Sequence, residues 1–293
     1  MSVSIRSGIV AAVDGSPESM AAVDWAARSA AMRRSPLKLV HVMIPPVVMG
    51  FPEAAIPADY FEWQEEEGRK LLGEARNAVE KTLGDVPIEV SSEMISGSAV
   101  ATLVDVSKTA QLLVVGCRGR GALARGLLGS VSSGLVHHAH CPVAVIHDED
   151  SATRSSTAPV VVGIDGSPAS ELATSIAFEE ASFRGVELVA VHAWHDEKLV
   201  EVPTVDWSAV RDAGEEILSE RLAGWTERYP DVPVRRVLQA DKVAHLLLEQ
   251  SESAQLLVVG SRGRGGFVGM LLGSVATAVV NTARLPVIVA REL

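Results

Sequence analysis

The chain has 293 residues, 47% hydrophobic and 22% charged, with a net charge of −11. That apolar share supports ordinary cores and excludes wholesale disorder, and at roughly 100–200 residues per domain the length suits about two domains. The acidic balance and the 4% aromatic content exclude nucleic acid as the main partner, because a phosphate backbone wants a basic face and bases want stacking platforms.

In chain order, the first copy of an α/β pattern predicts strands at 8–13, 37–43, 87–94, 111–116 and 143–147. Helical patterns fall between them at 22–33, 60–83, 99–109 and 131–139. Short apolar runs alternating with helical periods read as a parallel sheet. The run Leu112-Leu-Val-Val is apolar on both faces, which fits an interior strand covered by helices on both sides. In Asp14-Gly-Ser-Pro, Ser16 suits a helix N-cap and Pro17 the first helical position. The most apolar stretch, 39–51, contains His41, two prolines and Gly50 and is about 13 residues long, short of the ~20 of a spanning helix. No membrane partner is expected. With no signal pattern and only two cysteines, the expected location is cytoplasmic.

The pattern then repeats. GIVAAVDGSPES from Gly8 returns as VVVGIDGSPAS from Val160, and 21 of 38 positions agree without a gap between 110–147 and 254–291. Strands are expected again at 160–164, 187–193, 233–238, 255–260 and 286–290. The first copy carries seven extra residues between 42 and 62, in a proline- and glycine-bearing loop. A polar, aperiodic stretch from Asp148 to Pro159 reads as a linker, so the domains are expected at 1–148 and 158–293.

The chemistry concentrates after the fourth strand. Gly116-Cys-Arg-Gly119, nine residues, then Gly129-Ser130 is matched by Gly260-Ser-Arg-Gly263, nine residues, then Gly273-Ser274. Glycines at a strand exit let backbone approach a phosphate, and a helix opening at Gly-Ser offers free N–H groups and a positive dipole end. Arg118, Arg120, Arg262 and Arg264 bring positive charge to the same loops. Asp14 and Asp165 close the first strand of each copy; they either cap the turn or face the cleft as ligand contacts. No G-x-x-x-x-G-K-[ST] loop occurs, which excludes a P-loop ATPase. His137, His138, His140 and Cys141 have no counterparts in the second copy, so a surface helix end is expected there rather than a metal site. Cys117 and Cys141 fall at opposite edges of the sheet and are too far apart to bridge. Cys117 is either a redox-responsive or merely an accessible thiol. His41 and His192 are expected to be packed.

The V-D-G-S-P turn, the LVHV and AVHA second strands, the G-x2-G-x9-G-S loop and the CPVAVI and LPVIVA last strands resemble the universal stress protein family, in its ATP-binding branch, over nearly the whole chain. The resemblance implies two tandem Rossmann-like domains, of the adenine nucleotide alpha hydrolase-like type. Each is a five-stranded parallel sheet of order 3-2-1-4-5 with helices on both faces. It places adenine near Ala12, Val13, Asp14 and Val42. Ribose and phosphates fall on Val115, Gly116, Arg118, Gly119, Arg120, Gly129, Ser130, Val131 and Ser132. In the second copy the matching positions are Gly163, Ile164, Asp165, Ala193, Val259, Gly260, Arg262, Gly263, Arg264, Gly273, Ser274 and Val275. There Ala276 stands for Ser132 and Ala193 for Val42, which points to weaker binding at the second site. The implied ligand is ATP, with or without Mg²⁺. The implied role is a nucleotide-dependent regulator in stress response or growth control. A slow ATP hydrolase or nucleotidyl transferase using Asp14 or Asp165 is the alternative, and an interaction scaffold is a third. The family also implies pairing through the final strand, within the chain or as a homodimer; the protein partner is not indicated.

Overall fold

The computed structural model describes residues 8–45, 58–119, 128–147, 155–194, 207–240, 242–264 and 271–291. The chain divides into two compact units, Met1–Asp148 and Glu149–Leu293. Arg120, the first copy's extra loop and most of the expected linker lie outside the described residues.

The first unit runs β1 (Ile9–Ala12), α1 (Pro17–Arg33), β2 (Leu37–Met43), α2 (Ala58–Leu83), β3 (Val90–Ser96), α3 (Ala99–Ser107), β4 (Leu112–Gly116), α4 (Ser130–His138), β5 (Val143–Ile146). Its strands lie in the order β3-β2-β1-β4-β5, each pairing parallel with its neighbour. The second unit repeats this as β6 (Val160–Gly163), α5 (Pro168–Arg184), β7 (Leu188–Trp194), α6 (Trp207–Arg228), β8 (Val234–Ala240), α7 (Val243–Ser251), β9 (Leu256–Gly260), α8 (Ser274–Thr282), β10 (Val287–Ala290). Its order is β8-β7-β6-β9-β10, again parallel. The fold class and strand order expected from the sequence are those observed.

Central strands bury both faces: Ile9, Val10 and Ala11 are all buried, as are Leu112 to Val115. Each fully buried Val or Leu contributes about 1.5–3 kcal/mol. β3 begins later than expected, at Val90 rather than 87, because register with β2 sets it: Leu37 lies opposite Val90. It is a partly exposed edge strand, so its own apolar pattern is weak. The first helix begins at Pro17, with Ser16 in extended conformation accepting from the Ser19 N–H at 3.2 Å. Ser167 does the same for Ser170. Gly15 and Gly166 hold φ of +77° and +75°, a region glycine enters without strain.

In each unit the order reverses at the first strand. The C-terminal ends of β1 and β4, and of β6 and β9, therefore flank a switch point, the usual ligand crevice of an open α/β sheet. Among the described residues no helix is long and apolar enough to cross a membrane.

Candidate functional site

Two kinds of helix N-terminus meet at each switch point, and they differ in what they leave unsatisfied. At α1 the turn satisfies itself. The Asp14 N–H donates to Ser19 Oγ at 3.1 Å, and Asp14 Oδ1 accepts from the Ser16 N–H at 2.9 Å and the Ser16 hydroxyl at 2.6 Å. The second unit copies this with Asp165, Ser167 and Ser170, at 3.0, 2.9 and 2.6 Å.

At α4 the cap is Gly129, extended at φ −66° and ψ 160°, with no side chain to cap the helix. Gly273 caps α8 in the same way. Only from Ser133 does the helix ladder begin, the Ser133 N–H donating to the Gly129 carbonyl at 2.9 Å. Among the described residues, nothing accepts from the N–H groups of Ser130, Val131 and Ser132, nor from those of Ser274, Val275 and Ala276. Three aligned orphan donors at the positive end of a helix make an anion cradle.

The glycine loop is pinned in place beneath that cradle. The Gly129 N–H donates to the Cys117 carbonyl at 2.8 Å, and the Gly273 N–H to the Ser261 carbonyl at 2.8 Å. The Ser132 hydroxyl, buried, donates to the Cys117 carbonyl at 2.7 Å. It braces the loop, so Ala276 in its place removes a brace rather than a ligand donor.

Gly116 and Gly260 have a different purpose from the one their sequence position suggests. A Cβ on Gly116 would lie 2.6 Å from the Glu18 carbonyl carbon and 2.8 Å from the Ser19 nitrogen. On Gly260 it would meet the Ala169 and Ser170 backbone at 2.9 and 3.0 Å. These glycines admit the first turn of α1 and α5. Gly119 and Gly263 instead face the Asp14 and Asp165 carboxylates, which a Cβ would strike at Oδ2. In the second unit the Arg264 N–H donates to Asp165 Oδ2 at 3.1 Å, tethering turn to loop.

Of the positions expected near adenine, Ala12, Asp14, Val42, Gly163, Asp165 and Ala193 are half-buried at the sheet edge. Val13 and Ile164 are buried, with their backbone engaged. The Val13 N–H donates to the Val40 carbonyl and the Ile164 N–H to the Val191 carbonyl, both at 2.8 Å. Their carbonyls accept from His41 Nδ1 at 2.7 Å and His192 Nδ1 at 2.6 Å; a carbonyl only accepts, so Nδ1 carries the hydrogen. Val115 and Val259 are also buried, leaving only their backbone to face a ligand. The one signal in the sequence for these two histidines as site residues is their identical placement in both copies. Replacing both by Phe leaves the two carbonyls without that donor and is expected to cost about 1 kcal/mol of stability in each unit, one neutral hydrogen bond's worth; denaturant titration of each single variant against the parent reads it.

Charge differs between the units. Arg118 pairs with Glu18, Nε to Oε1 at 3.2 Å, both largely buried. Arg262 is exposed and has no ion-pair partner among the described residues. His147 follows β5, and its Nε2 is buried with no hydrogen-bond partner among the described residues. Burial, reinforced by the nearby positive charge of Arg118, pulls its pKa down to about 4. The unfolded chain therefore binds that proton first as pH falls below about 6.5, and stability present above that value drains towards pH 4. From about pH 7.5 to about pH 5 the first unit is expected to lose about 2 kcal/mol through this group. Denaturant titrations of the parent and of His147→Leu measure it as the difference between their pH profiles. The second unit has Arg291 at this place and no such loss.

Cys117 and Cys141 are both buried, which removes the accessible-thiol reading of Cys117. Among the described residues no three His, Cys, Asp or Glu side chains gather into a metal set; the His137 ring is bonded to the Ser133 carbonyl at 2.7 Å.

Comparison with known proteins places this architecture. The chain is 55% identical over 287 residues to a universal stress protein of Mycobacterium tuberculosis strain H37Rv, covering 97% of each. It is 54% identical to a second from the same strain, covering 97% of this chain and 96% of that one. A crystal structure of a universal stress protein from Archaeoglobus fulgidus superposes with a TM-score of 0.73 at 20% identity, covering 98% of this chain and 99% of that one; that likeness concerns the fold. The universal stress protein family model matches residues 7–147 and again 157–291. The chain, with two tandem copies of that domain, belongs to the universal stress protein family.

Proposed function

We propose that the chain is an ATP-binding regulator with one nucleotide site at each switch point, acting in stress response or growth control by binding rather than turnover. The observation that carries this is the pair of uncapped helix starts, at Gly129 and Gly273, each presenting orphan N–H groups beside a glycine loop and an arginine. The phosphates would lie on Ser130 to Ser132 and Ser274 to Ala276. Adenine and ribose would lie along the ends of β1, β2 and β4, or β6, β7 and β9. Magnesium, where present, would be carried by the phosphates. The aspartates, whose Oδ1 atoms hold the first turn, support a positioning role better than that of a general base.

Protein purified from cells and extracted should release adenine nucleotide, up to two per chain by mass and stoichiometry. Protein that carries none and binds none by calorimetry overturns the reading. A sharper variant is Ser130→Pro with Ser274→Pro. Proline at the first helical position keeps the helix, and the preceding glycines already hold the extended conformation that proline demands. Each change deletes one orphan backbone donor together with the serine hydroxyl, so ATP affinity should fall at least about tenfold per site, the worth of one hydrogen bond to a charged acceptor, with the fold intact by circular dichroism.

A further inference from the structure

We propose that the two sites are graded by charge: the second selects for phosphate charge, favouring the triphosphate, while the first is muted and accepts less charged adenine nucleotides nearly as well. This rests on the two sites binding adenine nucleotides at all.

The muting in the first unit comes from Glu18. It stands on the first turn of α1, whose backbone lies against Gly116, and it pairs with Arg118 at 3.2 Å. Side-chain exposures of 19% and 17% mean that water screens the pair little, so the carboxylate cancels most of the guanidinium's field at the loop. The second unit has Ala169 at the matching position. Arg262 there is exposed, and its charge is uncancelled among the described residues.

A second difference comes from α6. Arg264 Nη2 and Arg221 Nε lie 2.5 and 3.4 Å from the place a Cβ on Gly166 would occupy. Two guanidinium groups, one from the glycine loop and one from a helix outside the motif, thus flank the first turn of the site. Glu171 bonds Arg221 at 2.7 Å, and the Asp165 carboxylate accepts from the Arg264 backbone N–H. Gathering like charges opposes folding unless an anion joins them. In the first unit the matching helix position is Asn77, and Met20 stands for Glu171. The residue differences therefore favour an anion in the second unit. The order inferred from Ala276 inverts, because the Ser132 hydroxyl it lacks is a loop brace.

The test uses the full chain, titrated by calorimetry with ATP, AMP and inorganic tripolyphosphate. Glu18→Gln and the pair Arg221→Gln with Arg264→Gln assign the two sites. The ATP-to-AMP affinity ratio is expected to be about tenfold larger at the second site than at the first, and to shrink as salt rises, as expected for charges of this kind in a partly solvated site. Glu18→Gln keeps the side chain's shape and should raise ATP affinity at the first site about fivefold, with AMP changing less. The double arginine variant should lower ATP affinity at the second site about tenfold. Equal ratios at both sites, or a Glu18→Gln chain that binds ATP like its parent, overturn the grading and leave the nucleotide reading standing. Tripolyphosphate binding that follows these variants, with no adenine nucleotide bound, overturns the nucleotide reading and with it the grading of nucleotides. Binding of none of the three overturns both.

Discussion

Gly116→Ala is expected to destabilise the first unit by about 3 kcal/mol, at the upper end of overpacking costs. A new Cβ meets three backbone atoms of α1, the Glu18 carbonyl carbon at 2.6 Å, its oxygen at 2.8 Å and the Ser19 nitrogen at 2.8 Å. No flexible side chain stands there to swing aside, so the start of the helix must move off the strand. The same change at Gly260 meets its obstacles at 2.9 to 3.0 Å and should cost less, about 1–2 kcal/mol. Denaturant titration should therefore order the variants parent, Gly260→Ala, Gly116→Ala. The place of these glycines in the loop points to a phosphate as what a methyl would meet; in the structure it meets helix α1. ATP affinity should fall in these variants only as far as the displaced turn disturbs the loop. Unchanged stability with lost binding would return these glycines to the phosphate.

The repeat, the parallel sheet and its order follow from apolar runs such as Leu112 to Val115, whose burial on both faces leaves little choice of partner. Helix starts were legible where a side chain does the capping, as at Ser16 and Ser167. The need for glycine at 116 and 260 was legible, but not its cause, because the obstacle comes from a helix about a hundred residues earlier in the sequence. Ser132 looked like a ligand hydroxyl and is a buried brace. His41 and His192 looked like packing and hold the carbonyls at the site's floor. Glu18 and Arg221 carried no motif at all; only proximity in the fold gives them a bearing on the loop.

Asp165→Ala is expected to lower the stability of the second unit by about 3 kcal/mol, since the carboxylate is a charged acceptor for several donors at once. Oδ1 takes the Ser167 N–H and hydroxyl at 2.9 and 2.6 Å, and Oδ2 takes the Arg264 N–H at 3.1 Å. The Ser167 hydroxyl has one hydrogen; with the carboxylate gone it can turn to the Arg262 carbonyl, 3.2 Å away, which recovers part of the loss. Asp165→Asn divides the two ends. Its single carbonyl oxygen can still hold the turn, but the amide nitrogen cannot accept from Arg264, so the loop is released while α5 keeps its start. The stability loss should then be about 1 kcal/mol, one hydrogen bond's worth, yet bound nucleotide should dissociate faster because the arginine loop no longer has a fixed register against the turn. A carboxylate whose whole function was ligand contact would give the opposite pattern: both variants as stable as the parent, with Ala and Asn equally poor binders. Stability and dissociation rate measured on the same two variants decide between a turn that positions the loop and a side chain that touches the nucleotide.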